Sequence, residues 1–446
     1  MSALLSQQFR QWVGDRVLAD ITTGNNSYYL FVGRILPWSN ESAPPAPTDA
    51  IANTVYEYDR SMIALKRITP TDVCYVIPRN TWANNTYYPN YDSTNANLYS
   101  QQYFVTSSAL NLYKCLYAPS GNSTVEPTGT ANTILATADG YQWKFMSPVN
   151  PADAVKFLTS NYSPVRSISA DDSTTHWQVQ QYAGLTSSNG ALDVIRVTNG
   201  GTGYSAGNTV VAITGDGVGS SGTPGTTANA TATVAGGIIT AITLTDRGRN
   251  YSNAVVTITG AGANAAAYAI IPPPPYHGAN TVLELGGSNL MISMDLDGNE
   301  NGVFTVNNDY RRIGILYNPL LSSNGAVATA AALDQSLRLT ITISNPPGTN
   351  FVADELVTGQ TSNATGYVVD WNGANNTNIL RLVSTDGAFA NSEIVTGGTS
   401  GSQGTVTSIT LPALIPFSGR MLYAENREAV TRASDQTEEV RIIWRF

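Results

Sequence analysis

Side chains able to do chemistry are few in this chain, and they rarely stand in working arrangements. The 446 residues hold two histidines, His176 and His277, and two cysteines, Cys74 and Cys115. A zinc site draws Cys and His ligands at short, set spacings. Neither histidine has a second one nearby and no cysteine pair has that spacing, so no metal site is predicted. A lone loop histidine then reads as an ordinary surface residue. No Gly-x-Ser-x-Gly turn supports a Ser-His-Asp site. "MDLDGNENG" (294–302) alternates Asp295, Asp297, Asn299 and Asn301 in the manner of a calcium loop. An EF-hand needs Gly at its sixth position and Glu at its twelfth, where Glu300 and Val306 stand. A polar hairpin between "LMISMDL" and "GVFTV" is the plainer reading. "GDGVGSSGTPG" (215–225) lacks the lysine of a phosphate loop, and no helical pattern follows it.

Carboxylates concentrate at the end of the chain. "AENREAVTRASDQTEEVRIIWRF" (424–446) carries Glu425, Arg427, Glu428, Arg432, Asp435, Glu438, Glu439, Arg441 and Arg445, although only 12% of the protein is charged. Hydrolysis by paired carboxylates needs one acid kept protonated. The interleaved arginines hold these groups ionised instead. Four Arg against five carboxylates also leave no basic tail for nucleic acid. The segment reads as an Arg–carboxylate-laced loop, "ENREAVTRASDQTEE", feeding a closing strand, "VRIIWRF". These residues nominate no catalytic carboxylate pair, and no cofactor is expected.

The positioning elements are mainly β. Gly, Thr, Asn, Ser and Tyr are abundant, short apolar alternations recur, and 42% hydrophobic content is ample for real cores. At 446 residues the chain has room for roughly two to four domains. With 23 basic against 32 acidic residues the net charge is −9, which excludes nucleic-acid binding through the overall field. Cys74 and Cys115 sit in apolar, strand-like flanks and are predicted to be buried free thiols. No secretory leader and no run of about 18 apolar residues is present, so neither export by the usual route nor membrane insertion is expected.

An amphipathic helix is predicted over the first twenty residues, with Leu4, Leu5, Phe9, Trp12, Val13 and Val17 on its packing face. "SYYLFVGRI" and "DGYQWKFM" read as strands and "NPADAVKFL" (150–158) as a short helix. Two duplications follow. "IRVTNGGTGYS" (195–205) returns as "ITLTDRGRNYS" (242–252) after 47 residues, and "VVAITGDG" (210–217) as "VVTITGAG" (255–262) after 45. Later, "FVADELVTGQTSNATGYVV" (351–369) matches "FANSEIVTGGTSGSQGTVT" (389–407) at an offset of 38. Phe351/Phe389, Glu355/Glu393, Gly359/Gly397, Ser362/Ser400 and Gly366/Gly404 coincide. Prolines flank both segments, and "PPPP" (272–275) reads as a stiff linker. The expected organisation is a layered antiparallel β-sandwich core from 1–190, 272–345 and 411–446. Small duplicated β-modules at 191–271 and 346–410 interrupt it.

Several stretches, in order, resemble one family: "LFVGRILPWSNESAPPAPTD" (30–49), "VIPRNTWANNTYYPNY" (76–91), "LYKCLYAP" (112–119), "DGYQWKF" (139–145), "YRRIGILYNPL" (310–320) and "GRMLYAENREAVTRASDQTEEVRIIWRF" (419–446). They resemble the baseplate wedge subunit eight of T-even-type contractile-tailed phages. The resemblance implies a β-sandwich with peripheral helices, a structural virion protein without catalysis, and a two-fold homodimer within each wedge. It further implies contacts with other wedge subunits, a place in the tail baseplate, and synthesis and assembly in the host bacterial cytoplasm. Matched by motif, the assembly candidates are Arg34, Trp38, Asp49, Arg79, Trp82, Arg311, Arg312, Glu425, Asn426, Arg427, Asp435, Glu438 and Glu439. Rigid aromatics in Pro-rich loops, such as Trp38 and Trp82, make good interface anchors. The two duplicated modules are absent from the family pattern. An alternative reading therefore makes the chain a tail-associated adhesin contacting host glycan through them. A tail hydrolase ranks third, since nothing nominates its acids.

Overall fold

The computed structural model describes residues 4–446 apart from 169, 186–188, 217–226, 298–303, 305, 307, 334–338, 345–347 and 374–377. The fold is mainly β, built of antiparallel sheets with a few helices. It divides into two compact units. The first comprises Met1–Gly14, Cys74–Met291 and Ile443–Phe446, and the second Asp15–Val73 and Ile292–Ile442.

In the first unit a four-stranded sheet runs in the order Phe104–Thr106, Asn111–Tyr117, Gln142–Pro148, Ile134–Ala136. Its aromatic core stacks Tyr141 on Trp143, with Tyr88 and Phe145 edge-on to neighbouring rings. The helix Pro151–Phe157 starts where Asn150 accepts from the Ala152 amide and Pro151 presets the first turn. Cys115 lies in the core just described and Cys74 in a second cluster beside Phe157 and Met291, both as free thiols.

The predicted N-terminal helix forms as Gln7–Thr23, but its first half is turned over. Gln11 and Gly14 face inward: Gln11 exchanges amide hydrogen bonds with Asn280, its carbonyl accepts from the Tyr75 hydroxyl, and a Cβ on Gly14 would meet that hydroxyl at 2.5 Å. Leu4, Leu5, Phe9 and Trp12 are left outside, 49–90% exposed. Side-chain hydrogen bonding and a close approach that only glycine permits outweigh the apolar stripe here.

The first duplication forms a six-stranded sheet in the order Ala254–Thr259, Val210–Gly215, Asn229–Ala235, Ile238–Asp246, Val194–Thr202, Ala263–Ile270. Equivalent strands of the two copies pair with each other antiparallel, through Ile195 with Ile242 and Ala212 with Thr257, which are equivalent residues. The sheet therefore has an internal two-fold. Its equivalent tyrosines, Tyr204 and Tyr251, both lie in its core.

In the second unit a five-stranded sheet runs Ala332–Leu333, Met62–Arg67, Tyr28–Gly33, Asp309–Tyr317, Arg420–Thr431. Tyr28–Gly33 is buried at every position, which accounts for its unbroken apolar run. Opposite Phe31 stands Gly314, where any Cβ would collide with the Phe31 ring and the Tyr423 carbonyl. The C-terminal segment departs from expectation. "ENREAVT" belongs to a twelve-residue edge strand, Arg420–Thr431, and only 432–436 separate it from the last strand, Thr437–Arg445. An edge strand that buries no residue fully carries no clean alternation, so its charges look like a loop.

The second duplication closes into a six-stranded barrel: Leu339–Ser344, Ile379–Asp386, Thr365–Asn372, Leu356–Gly359, Ile394–Gly397, Gln403–Thr410. Its first strand precedes the 346 boundary drawn from the repeat. The copies again pair through equivalent residues, Thr358 with Thr396. Each glutamate reaches into the other copy. Glu355 accepts from the Thr399 amide (3.0 Å) and from the Ser400 amide and hydroxyl (both 2.8 Å), and Glu393 accepts from the Thr361 and Ser362 amides and the Ser362 hydroxyl. A Cβ at Gly359 or Gly397 would come within 2.6 Å of those carboxylates, which explains the repeated glycine. Phe351 and Phe389 fill the core between the copies.

Candidate functional site

Five assembly candidates of the second unit, Arg34, Trp38, Arg311, Arg312 and Asn426, converge on the Pro-rich loop after Tyr28–Gly33 and make internal contacts. Arg34 adopts a positive φ of 58°, which lays its guanidinium 3.6 Å from the centre of the Trp38 ring and within 3.3 Å of Glu57. Trp38 is half-buried and donates its ring N–H to the Arg427 carbonyl at 2.9 Å. Arg312, 1% exposed, donates to Asn426 (2.7 Å), Ser61 (3.2 Å) and Glu57 (3.3 Å), with Tyr58 under its guanidinium. Arg311 is buried as well and fans out to Glu41, the Ile35 carbonyl and Asp309. Asn426 closes the ring by donating to the Pro45 carbonyl. Planar guanidinium groups suit such fixed, multi-partner ties. Burial draws the Arg312 guanidinium below its ordinary value, and Glu57 opposes that shift.

The other candidates are scattered. Asp49 and Asp435 are exposed. Glu425 accepts from the Tyr423 hydroxyl at 2.7 Å. Glu438 pairs with the buried Arg432 at 2.9 Å, and Glu439 pairs with Arg441 and accepts from Ser293. In the first unit, Arg79 donates to the Thr159 carbonyl and Trp82 to the Ser123 hydroxyl. Asp295 and Asp297 lie on the strand Asn289–Asp297, while the rest of the calcium-like stretch, 298–302, lies outside the described residues. Among the described residues no three His, Cys, Asp or Glu side chains gather as metal ligands, and no helix is long and apolar enough to cross a membrane.

The densest ionic site is one the sequence does not reveal, in the first unit. Both histidines are buried rather than at the surface, and His277 is at the centre of the cluster. Its Nδ1 lies 2.8 Å from Lys114 Nζ and its Nε2 2.6 Å from Asp193. Lys114 is 2.9 Å from Glu284, whose second oxygen accepts from the Gly278 (2.8 Å) and Asn280 (3.3 Å) amides. Asp193 also accepts from the Tyr276 hydroxyl and pairs with Arg247. All but Arg247 are effectively withdrawn from solvent. Lys114 and Arg247 match Asp193 and Glu284 in charge, and the buried Lys144, 5.8 Å from the centre of the Tyr276 ring, adds a further cation nearby. Burial lowers the Lys114 ammonium below its ordinary range. Burial alone would raise Glu284, but Lys114 and His277 hold it below the usual carboxylate range.

The placement of this cluster matters. Asp193 precedes the six-stranded sheet, Arg247 comes from within it, and Tyr276 and His277 follow it. Around them the Gly190 amide donates to Pro275, Leu192 to Arg247 and Asn250 to Asn189. The cluster thus ties the root of the sheet to Lys114 of the four-stranded sheet. Only the residues' positions along the chain were legible beforehand; Lys114 and His277 are separated by 163 residues.

No protein-family profile matches the chain. Over 176 residues it is 26% identical to the baseplate wedge protein gp8 of enterobacteria phage T4. The match covers 31% of this chain and 52% of that protein, so the chain spans about half the length of the curated relative. The chain is thus similar, distantly and over part of its length, to a phage baseplate component.

Proposed function

We propose that this chain is a structural subunit of a contractile phage tail. In this reading it is a baseplate wedge protein that bridges neighbouring wedge subunits and takes part in baseplate assembly and rearrangement on infection. The observation that carries the reading is the likeness to the T4 baseplate wedge protein. The ionic chemistry supports it in kind. Arg311, Arg312 and Arg432 are buried on internal partners that fix loops and strands, an arrangement suited to shape rather than turnover. The chain acts as a homodimer within the wedge and turns over no substrate. The six-stranded sheet and the barrel are modules inserted into a host domain and carry contacts particular to this phage.

Co-expression with the other wedge proteins of its phage tests this. The full chain should co-purify in a wedge intermediate, and a form lacking both modules should still enter it. If neither form joins, the structural reading fails. If the modules alone retain host polysaccharide while wedge proteins ignore the chain, it acts as an adhesin instead.

A further inference from the structure

The buried cluster holds more than an ion pair. Lys114 Nζ and Glu284 Oε2 stand 2.9 Å apart and are effectively dry, at 0% and 4% side-chain exposure. His277 touches both groups, with Nδ1 2.8 Å from Nζ and 3.6 Å from Oε2. Glu284 Oε1 points the other way, into the Gly278 and Asn280 amides. A nucleophile, a proton carrier between nucleophile and leaving oxygen, and two donors for an oxyanion are thus assembled around one carboxyl carbon.

We propose that Lys114 and Glu284 join in an intramolecular isopeptide bond, formed by the chain itself. The ion pair is the resting form. His277, whose Nε2 lies 2.6 Å from Asp193, takes a proton from Nζ at Nδ1 and passes it to Oε2. This leaves a neutral amine beside a neutral acid. The Nζ lone pair attacks Cδ, the C–N bond forms, and Oε1 takes the negative charge against the two amides. His277 then moves a proton from the new ammonium to the Oε2 hydroxyl, the Cδ–Oε2 bond breaks, and water departs. The balance is one ammonium and one carboxylate giving one amide and one water, with no oxidant or cofactor. In bulk water the ions are favoured. Burial makes the neutral pair less costly to reach than it is in water, and fixed proximity replaces a bimolecular encounter. Lys114 and Glu284 also line a cavity of about 980 Å³, which offers the released water an exit. The bond would join the strand Asn111–Tyr117 to the helix Thr281–Glu284 and close a loop containing the whole six-stranded sheet. That sheet would then be anchored at its root by a covalent link that force and denaturant leave intact.

Intact-mass measurement on the full, denatured chain decides the question, followed by sequencing of its proteolytic peptides. The proposal predicts a mass lower than the sequence requires by one water, with a cross-linked peptide pair joining Lys114 to Glu284. Lys114→Met should show the full sequence mass. His277→Gln should start at full mass and lose water slowly or not at all. A wild-type chain at full mass, or one whose lost water maps to any other site, overturns the proposal. A His277→Gln chain that cross-links as fast as wild type overturns the proton relay.

Discussion

Replacing Glu355 with alanine should loosen the barrel in both copies, the one that does not contain the mutation as much as the one that does. The carboxylate is 4% exposed and accepts from the Val352 amide (2.8 Å), the Thr399 amide (3.0 Å) and the Ser400 amide and hydroxyl (both 2.8 Å). A hydrogen bond to a charged group contributes roughly 1.5–3 kcal/mol, and donors left unsatisfied in the interior add their own penalty. Because the four donors share one carboxylate they do not add in full, and a net loss of about 3–5 kcal/mol follows. At about 1.4 kcal/mol per tenfold, that is a rise of two to nearly four powers of ten in amide exchange from the opened barrel. Hydrogen exchange read by mass spectrometry on peptides spanning 339–410 of the full chain measures it. The turn Thr399–Ser402 should lose as much protection as the 351–359 segment, and Glu393→Ala should produce the mirror pattern at Thr361–Ala364. Burial alone would raise both glutamates, yet the ring of donors holds each below its ordinary value. Their contribution is therefore complete above the unfolded carboxylate value of about 4.3 and is lost as pH falls through the lower folded values. A cost below about 1 kcal/mol, or faster exchange confined to the mutated copy, would refute the reciprocal lock.

Arg312→Met keeps most of the side-chain volume but abandons Asn426, Ser61 and Glu57. It should destabilise the second unit by about 2–4 kcal/mol in urea titrations and expose the 34–49 loop to protease. Trp38→Phe removes the bond to the Arg427 carbonyl while leaving an aromatic ring for Arg34, so the same proteolysis should show a milder effect, about 1 kcal/mol. Gly314→Ala places a methyl against the Phe31 ring and the Tyr423 carbonyl in a central strand, and should abolish soluble accumulation of the chain. Burial pushes the Cys74 thiol up to about 12 and Cys115 higher, so neither should react with a thiol reagent at neutral pH until denaturant is added.

What the sequence discloses is set by range. Period-two alternation and the turn glycines mark the strands of both duplications, and the matching residues of each repeat prove to be structural partners, Glu355 with the Ser400 turn and Glu393 with the Ser362 turn. Local capping likewise marks the helix Pro151–Phe157. Contacts between distant residues leave no such trace. Nothing near His277 announces Lys114, and nothing near Asp193 announces Arg247. The N-terminal helix shows a related effect: its apolar stripe is real, but Gln11 and Gly14 make the inward contacts. For the assembly candidates, residue type was informative and direction was not. Arg311 and Arg312 are ionic and buried, but they hold their own unit together.

The reading of this chain as a baseplate wedge subunit is tested most directly by cryo-electron microscopy of intact tails from the phage that encodes it. The account predicts density for the chain within each baseplate wedge, with both modules resolved and a neighbouring wedge subunit in contact. Purified particles that lack the chain, or carry it only in fibres away from the baseplate, would contradict it.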